Sequence, residues 1–201
     1  MPVLTSRFTD AVAWANEIHG DQLRKGTAVP YISHLLAVSS LVLEAGGDED
    51  QAIAALLHDA VEDTNVTVNE ITQRCGEVVS RIVHECSDTE ERPKPPWRDR
   101  KASYVAHLAD ASDAALLVSL ADKVHNARSI LSDYRQEDKA LWARFSPQAG
   151  GAKGQLWYYG ALVTAFDRRL PGHALLVELR LAVSALEELV NQHEPGVIVV
   201  D

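Results

Sequence analysis

Four ionisable residues crowd one short stretch of this chain. His58 and Asp59 are neighbours, and Glu62 and Asp63 follow one turn later in the sequence AIAALLHDAVEDT. Residues three and four apart share a face of a helix, so a helical reading places His58 over Glu62 and Asp59 over both later acids. Three carboxylates that close repel one another unless protons or a cation neutralise them. Because apolar residues just before them point into a core, a divalent metal ion would account for the cluster.

A purely structural interpretation of the same residues stays open. His58 could be a packed core histidine, and the acids could form a solvated end of the helix. The register of Glu62 and Asp63 with the His-Asp pair favours a site over this alternative.

Two further stretches place a metal-type ligand in an apolar setting. His34 lies within YISHLLAV, and Asp122 interrupts the apolar stripe of ALLVSLADKVHNAR. Taken alone, His34 would be a packed histidine, and Asp122 could cap a buried donor or pair with a basic group. With His58 and Asp59 they supply two imidazoles and two carboxylates from three predicted helices. This mixed nitrogen and oxygen set suits manganese, iron or zinc and leaves positions open for water and substrate.

Helical periodicity dominates the elements that would carry these residues. One uninterrupted helix over 48–63 carries the His-Asp pair and both later acids, and helices over 31–47 and 112–131 carry His34 and Asp122. No apolar run is long enough to span a membrane. The sequence therefore predicts an all-α fold, a single helical bundle of about ten helices.

Turn residues divide the rest of the chain. Residues 89–97 must be a loop, residues 133–145 continue helical after a bend, and residues 146–154 form a glycine-bearing loop. The tail at 196–200 reads as a short strand or as disordered. The chain as a whole suits one domain over residues 1–201.

Composition limits the classes of partner. The 201 residues carry a formal net charge of −10, which argues against a nonspecific nucleic-acid binder, because such binding rests on neutralising phosphates. A small anionic substrate is compatible, since a local basic patch can act within an acidic protein. The two cysteines have no metal-ligand spacing, and no signal peptide is evident, so we expect a cytoplasmic protein without a membrane partner. The sequence is compatible with a homo-oligomer and does not fix the oligomeric state.

The order of the ligand-type residues resembles the HD-domain phosphohydrolases: a histidine, a His-Asp pair, then a distant aspartate. Longer stretches resemble the hydrolase domain that degrades the alarmone (p)ppGpp, namely HGDQLRKGTAVPYISHL, AALLHDAVEDT and SLADKVHNAR. The motif core spans residues 19–129. Because the chain is too short for the synthetase domain of bifunctional members, it resembles the stand-alone small alarmone hydrolases.

The resemblance implies a role for each matching residue. The ligands of a single manganese ion would be His34, His58, Asp59 and Asp122. The acidic pair that positions or activates the attacking water would be Glu62 and Asp63. The substrate contacts would be Arg24, Lys25, Tyr31, Asn126 and Ser129. The arginine would lie against the nucleobase.

Three departures from the family's usual sequence concern the substrate and leave the metal site intact. The loop reads GTAVPYI where a shorter Ser-Gly version is usual, Leu35 replaces a common proline, and Lys123 replaces a common arginine.

The activity that the resemblance implies is removal of the 3′-pyrophosphate of (p)ppGpp, which gives GDP or GTP and pyrophosphate. Two alternatives stay open: an HD-type phosphohydrolase acting on ppApp or a nucleoside phosphate, and a non-catalytic module that senses a nucleotide. Glu62 and Asp63 speak against the sensor, which has no need of a water-activating pair. Base preference and the physiological metal stay undecided.

Overall fold

A computed structural model describes residues 3–89 and 93–197 of the chain. These residues form ten α-helices and two short 3₁₀ helices, with no strand among them, which confirms the all-α prediction. The helices are α1 Ser6–Ile18, α2 Ile32–Glu44, α3 Glu49–Leu57, α4 Ala60–Asp63, α5 Val68–Cys75, α6 Glu77–Cys86, α7 Trp97–His107, α8 Asp113–Glu137, α9 Gly151–Arg169 and α10 Ala174–His193. The 3₁₀ helices are Asp138–Arg144 and Pro147–Ala149. None of these helices combines the length and the apolarity that a membrane crossing needs.

The described residues group into two compact units. The first contains the residues up to Lys94 together with Asp110–Asp122, and so holds α1 to α6 and the beginning of α8. The second contains Pro95–Ala109 and the residues from Lys123 onward. The expectation of one domain over the whole chain stays a prediction.

Helix α3 is the centre of the first unit. Its residues 52–57 are at most 1 % exposed because the helix packs against α1, α2 and α6. A capping box begins the helix: the Asp48 side chain accepts from the Gln51 N–H, and the Gln51 side chain accepts from the Asp48 N–H. A helix fixed at its start and buried along its length holds the residue that follows it, His58, at a defined place.

The prediction of one uninterrupted helix over 48–63 is wrong at the site itself. Helix α3 ends at Leu57, and α4 begins only at Ala60. The ring Nδ1 of His58 lies 2.8 Å from the Ala55 carbonyl oxygen, the acceptor that the Asp59 N–H would use in a continued α-helix. Asp59 takes φ −97° and ψ −1°, in the sparsely populated bridge region. The His-Asp pair therefore lies at a junction between two helices.

The second unit also differs from the prediction at the loops. Helix α8 continues without a break to Glu137, and the bend lies at Asp138, which has φ 54°. Helix α9 begins at Gly151, inside the predicted loop over 146–154. The tail prediction for 196–200 falls largely on residues 198–200, which lie outside the described residues.

The start of α9 offers a test of this packing. A Cβ atom on Gly154 would lie 1.7 Å from the Ala149 carbonyl oxygen and 2.8 Å from its carbon. Because this neighbour is backbone, we expect Gly154→Ala to lower the free energy of unfolding by about 1–3 kcal/mol. The matched control is Gly160→Ala in the same helix, where a Cβ would meet nothing within 4 Å. Because alanine has a higher helix propensity than glycine, Gly160→Ala should raise the free energy of unfolding by up to ~1 kcal/mol. Urea unfolding of both variants measures the change in the free energy of unfolding. Equal changes in Gly154→Ala and Gly160→Ala would contradict the close contact between Gly154 and the Ala149 backbone.

Candidate metal centre

Two histidines and two carboxylates lie together in the first unit. The Nε2 atom of His34 is 3.2 Å from Asp122 Oδ1 and 3.7 Å from Asp59 Oδ2. The Nε2 atom of His58 is 3.1 Å from Asp59 Oδ2 and 3.5 Å from Asp122 Oδ1. Ligand-type atoms of His34, His58 and Asp59 all lie within 4.8 Å of one another. The structure thus brings together the four residues that the sequence analysis selected as metal ligands.

The state of His58 fits a metal ligand. A carbonyl oxygen only accepts, so the contact with Ala55 requires that the His58 Nδ1 atom carries the proton. Its Nε2 atom faces the carboxylates, and this atom offers a lone pair to an ion once its own proton is released. That atom is buried and, despite its closeness to Asp59, has no hydrogen bond to any described residue. A histidine that donates one ring nitrogen to a backbone carbonyl and leaves the other for an ion is the usual arrangement in metal sites.

Asp59 also departs from its ordinary local role. It stands at the N-cap of α4, where an aspartate usually accepts a hydrogen bond from the helix, yet its side chain makes no such bond. Its Oδ2 atom instead accepts a 2.5 Å hydrogen bond from the Tyr31 hydroxyl and faces the two histidines. The side chain that could have capped a helix is thus available to the cluster, and Tyr31 fixes its direction.

Charge in the cluster favours a cation. Burial lowers the pKa of His34 below its ordinary value. Burial acts in the same direction on His58, but the nearby Asp59 and Asp122 carboxylates outweigh it and raise the pKa of His58 well above its ordinary value. His34, His58 and Asp122 are each at most 4 % exposed, so little water reaches these charges. A buried group of this composition indicates a divalent metal ion.

The two later acids are held by residues that sequence reasoning missed. Glu62 Oε1 accepts a 2.7 Å hydrogen bond from the backbone N–H of Asp88, and its Oε2 atom lies 3.6 Å from Lys94 Nζ. Asp63 Oδ1 lies 3.8 Å from the same ammonium, and its Oδ2 accepts a 3.2 Å hydrogen bond from Gln22. Gln22 lies within the stretch HGDQLRKG, and Lys94 within the predicted loop. No periodic pattern singles out either of them.

The loop before α2 carries three predicted substrate contacts. Its ends are joined by hydrogen bonds from the Tyr31 N–H to Gln22 and from the Arg24 N–H to Val29, and Gly26 makes the turn with φ 72°. The Arg24 guanidinium lies 5.8 Å from the centre of the Tyr31 ring, and Lys25 is exposed. Arg24 therefore lies beside the Tyr31 ring, and the Tyr31 hydroxyl donates to the Asp59 carboxylate.

The remaining two predicted contacts lie in the second unit, on α8. Asn126 is half-buried, and the Ser129 hydroxyl donates to the His125 carbonyl of its own helix at 2.9 Å. Their roles toward a substrate stay predictions.

Comparison with known proteins places this arrangement in a family. Residues 11–150 match the model of the HD domain. The guanosine-3′,5′-bis(diphosphate) 3′-pyrophosphohydrolase MESH1 of Xenopus tropicalis is 39 % identical over 144 residues, which cover 67 % of this chain and 79 % of the relative. The Homo sapiens protein of the same name is 34 % identical over 148 residues, covering 69 % of this chain and 81 % of the relative.

A solved structure extends the likeness to nearly the whole chain. It is described as a metazoan ortholog of SpoT that hydrolyses ppGpp and plays a role in starvation responses. The two share a TM-score of 0.71 at 25 % identity, covering 98 % of this chain and 100 % of that one. The chain belongs to the HD-domain family and, within it, to the group of the MESH1-type 3′-pyrophosphohydrolases.

Proposed function

We propose that this protein is a metal-dependent hydrolase that removes the 3′-pyrophosphate of (p)ppGpp to give GDP or GTP and pyrophosphate. The observation that carries the proposal is a buried His-Asp cluster followed, one turn later, by two carboxylates that hydrogen bonds hold in place. These carboxylates are Glu62 and Asp63. The MESH1 relatives support the substrate, since their names give this reaction and the chain covers most of their length.

The cluster would hold one divalent ion, which we propose to be manganese. Its ligands would be His34, His58, Asp59 and Asp122, a mixed nitrogen and oxygen set that suits manganese. When bound, such an ion polarises a phosphoryl oxygen and makes water a stronger nucleophile at neutral pH.

Glu62 and Asp63 would act on the attacking water. Its oxygen bonds to the phosphorus attached to the ribose 3′-oxygen while Glu62 takes up a proton. The bond to the 3′-oxygen breaks, that oxygen takes up a proton, and the net addition is one water. The Asp88 N–H and the Lys94 ammonium restrain the Glu62 carboxylate, so it does not have to be oriented anew in each turnover.

Basic residues would receive the substrate in a protein of net charge −10. Arg24 and Lys25 would supply fixed positive charge to the pyrophosphate, and Arg24 would also stack on the base. Tyr31, Asn126 and Ser129 would complete the contacts. Because a guanidinium plane stacks on any purine, we expect the adenine analogue ppApp to be accepted as well.

We also propose that the protein acts on this nucleotide in the cytoplasm. Cys75 and Cys86 form no disulfide, and thiols stay reduced in that compartment.

A nucleotide panel tests the proposal. Purified protein loaded with manganese should release pyrophosphate from ppGpp, and more slowly from ppApp. Protein carrying Glu62→Gln, prepared in parallel, controls for a contaminating phosphatase. Release from an ordinary nucleoside monophosphate or triphosphate, with none from ppGpp or ppApp, would replace this function by another HD-type phosphohydrolase. Binding of ppGpp without turnover of any nucleotide would instead support a sensor.

A further inference from the structure

One oxygen of Asp63 is held by a side chain with no assigned role. Gln22 precedes the loop that leads into α2, and its Nε2 donates to Asp63 Oδ2 at 3.2 Å. The Gln22 main chain is fixed as well, because its carbonyl accepts from the Tyr31 N–H at 2.9 Å. The carboxamide therefore reaches Asp63 from an anchored backbone.

A buried histidine fixes which end of this carboxamide faces Asp63. The Nδ1 atom of His19 lies 2.7 Å from Gln22 Oε1, and a carbonyl oxygen only accepts, so Nδ1 carries the proton. If the carboxamide turned over, its oxygen would face the Asp63 carboxylate and its NH₂ would face the His19 N–H. Both contacts would then join like with like, so the Nδ1–H tautomer of His19 stabilises the orientation with NH₂ toward Asp63.

The His19 ring makes this one hydrogen bond, but burying the ring costs folding free energy. The residue is 3 % exposed, and its Nε2 atom is buried without a hydrogen-bond partner among the described residues. Burying an unsatisfied ring nitrogen destabilises a fold, and an apolar side chain of similar shape would avoid the penalty. Stability alone therefore does not account for histidine here, whereas orientation of Gln22 does.

The same ring touches the other side of the site. His19 stacks on Tyr31 with centroids 5.2 Å apart and planes 27° apart, and the Tyr31 hydroxyl holds Asp59. His19 thus contacts the residue that holds the proposed catalytic carboxylate and the residue that holds a proposed metal ligand.

We propose that Gln22 is a positioning residue for Asp63 and that His19 acts through Gln22 by setting the orientation of its carboxamide. This inference rests on the proposed function, since it assigns Asp63 to the attacking water. Neither residue contacts the reacting atoms, so both act on the rate of the chemical step through Asp63 and leave the metal in place.

A double-mutant cycle in kcat separates this role from a merely structural one. Gln22→Leu should lower kcat about 10- to 100-fold, the scale expected from misplacing a reacting group, with KM and manganese content near wild type. In an Asp63→Ala background the same change should lower kcat less than about 2-fold, because no carboxylate remains to be positioned. The matched control is Gln73→Leu on the exposed face of α5, which should leave kcat unchanged. Equal factors for Gln22→Leu in both backgrounds, or loss of manganese from it, would overturn the proposal.

The His19 variants test the orientation step. His19→Phe keeps a ring against Tyr31 but removes the donor, and should lower kcat as Gln22→Leu does, with little further loss when the two are combined. His19→Asn, whose side-chain amide can replace the Nδ1–H, should restore most of the activity. Equal loss in both His19 variants would overturn the role of the donor.

A measurement without turnover distinguishes failure of this inference from failure of the proposed function. The ¹⁵N NMR shifts of His19 at neutral pH should report a protonated Nδ1 and a bare Nε2. A bare Nδ1 would contradict the orientation that we propose, whatever nucleotide the enzyme cleaves. If the nucleotide panel selects another substrate, the cycle is measured on that one.

Discussion

Replacing Glu62 with glutamine should lower kcat for pyrophosphate release about 100- to 10,000-fold, the usual contribution of a general acid or base. Glutamine has nearly the same shape, and its carbonyl oxygen can still accept the hydrogen bond that Glu62 receives from the Asp88 N–H. It cannot take up a proton at neutral pH. The fold and the manganese content should therefore be unchanged while the chemical step slows.

The control for this experiment is Glu17→Gln, which removes an exposed carboxylate on α1 and should leave kcat as it is. Steady-state kinetics and metal analysis on the same preparations separate the possible roles. Near-normal turnover in Glu62→Gln would remove this residue from the reaction. Loss of manganese from the same variant would assign Glu62 to the ion.

Local patterns in the sequence were sufficient to predict the helices that carry the site. The spacing of Thr67 and Glu70 is typical of a capping box, and the structure has both hydrogen bonds of that box at the start of α5. The apolar periodicity around His34 predicted α2, which ends before Gly46 and its φ of 87°. These signals are short-range, since caps and periodic faces depend on residues within about one turn of each other.

The break between α3 and α4 has no such signal. Periodicity and composition favour a helix across residues 48–63. What ends α3 is the imidazole of His58 at the Ala55 carbonyl, a competition between side chain and backbone that a hydrophobic pattern does not contain. The sequence therefore placed His58, Asp59, Glu62 and Asp63 on one helical face, whereas the structure places the His-Asp pair at a junction between two helices.

The proposed metal ligands could be selected from the sequence, whereas most of the residues that hold the neighbouring acids could not. Residue types and family resemblance selected His34 and Asp122, and packing of helices in the first unit brings them within 3.2 Å. Gln22 and Lys94 contact the acids across long stretches of sequence, from segments without regular periodicity. Tyr31 was selected as a substrate contact, and its hydroxyl bonds to Asp59 in the structure. Long-range contacts of this kind depend on the tertiary fold.

Removing a ligand of the metal centre should abolish ion binding. Changing groups that merely orient a ligand already weakens metal affinity about 10- to 100-fold, so loss of the ligand itself should cost more. His58→Ala removes the buried Nε2 atom that faces both carboxylates. Asp122→Asn keeps the volume of a residue that is 4 % exposed, and so tests the site with the least change in packing. Elemental analysis after dialysis should show near-complete loss of manganese from both variants.

Thermal unfolding supplies an independent measure of the same site. An ion that binds only the native protein stabilises it by about 2.7 kcal/mol at 100 times its Kd, so manganese should raise the Tm of the wild type. It should raise the Tm of neither His58→Ala nor Asp122→Asn. The control His107→Ala, at an exposed histidine of α7, should respond as the wild type does. Because each variant is compared with itself with and without the ion, a general loss of stability would not imitate the result. Wild-type manganese content in either ligand variant, or an undiminished rise in its Tm, would show that the ion binds elsewhere.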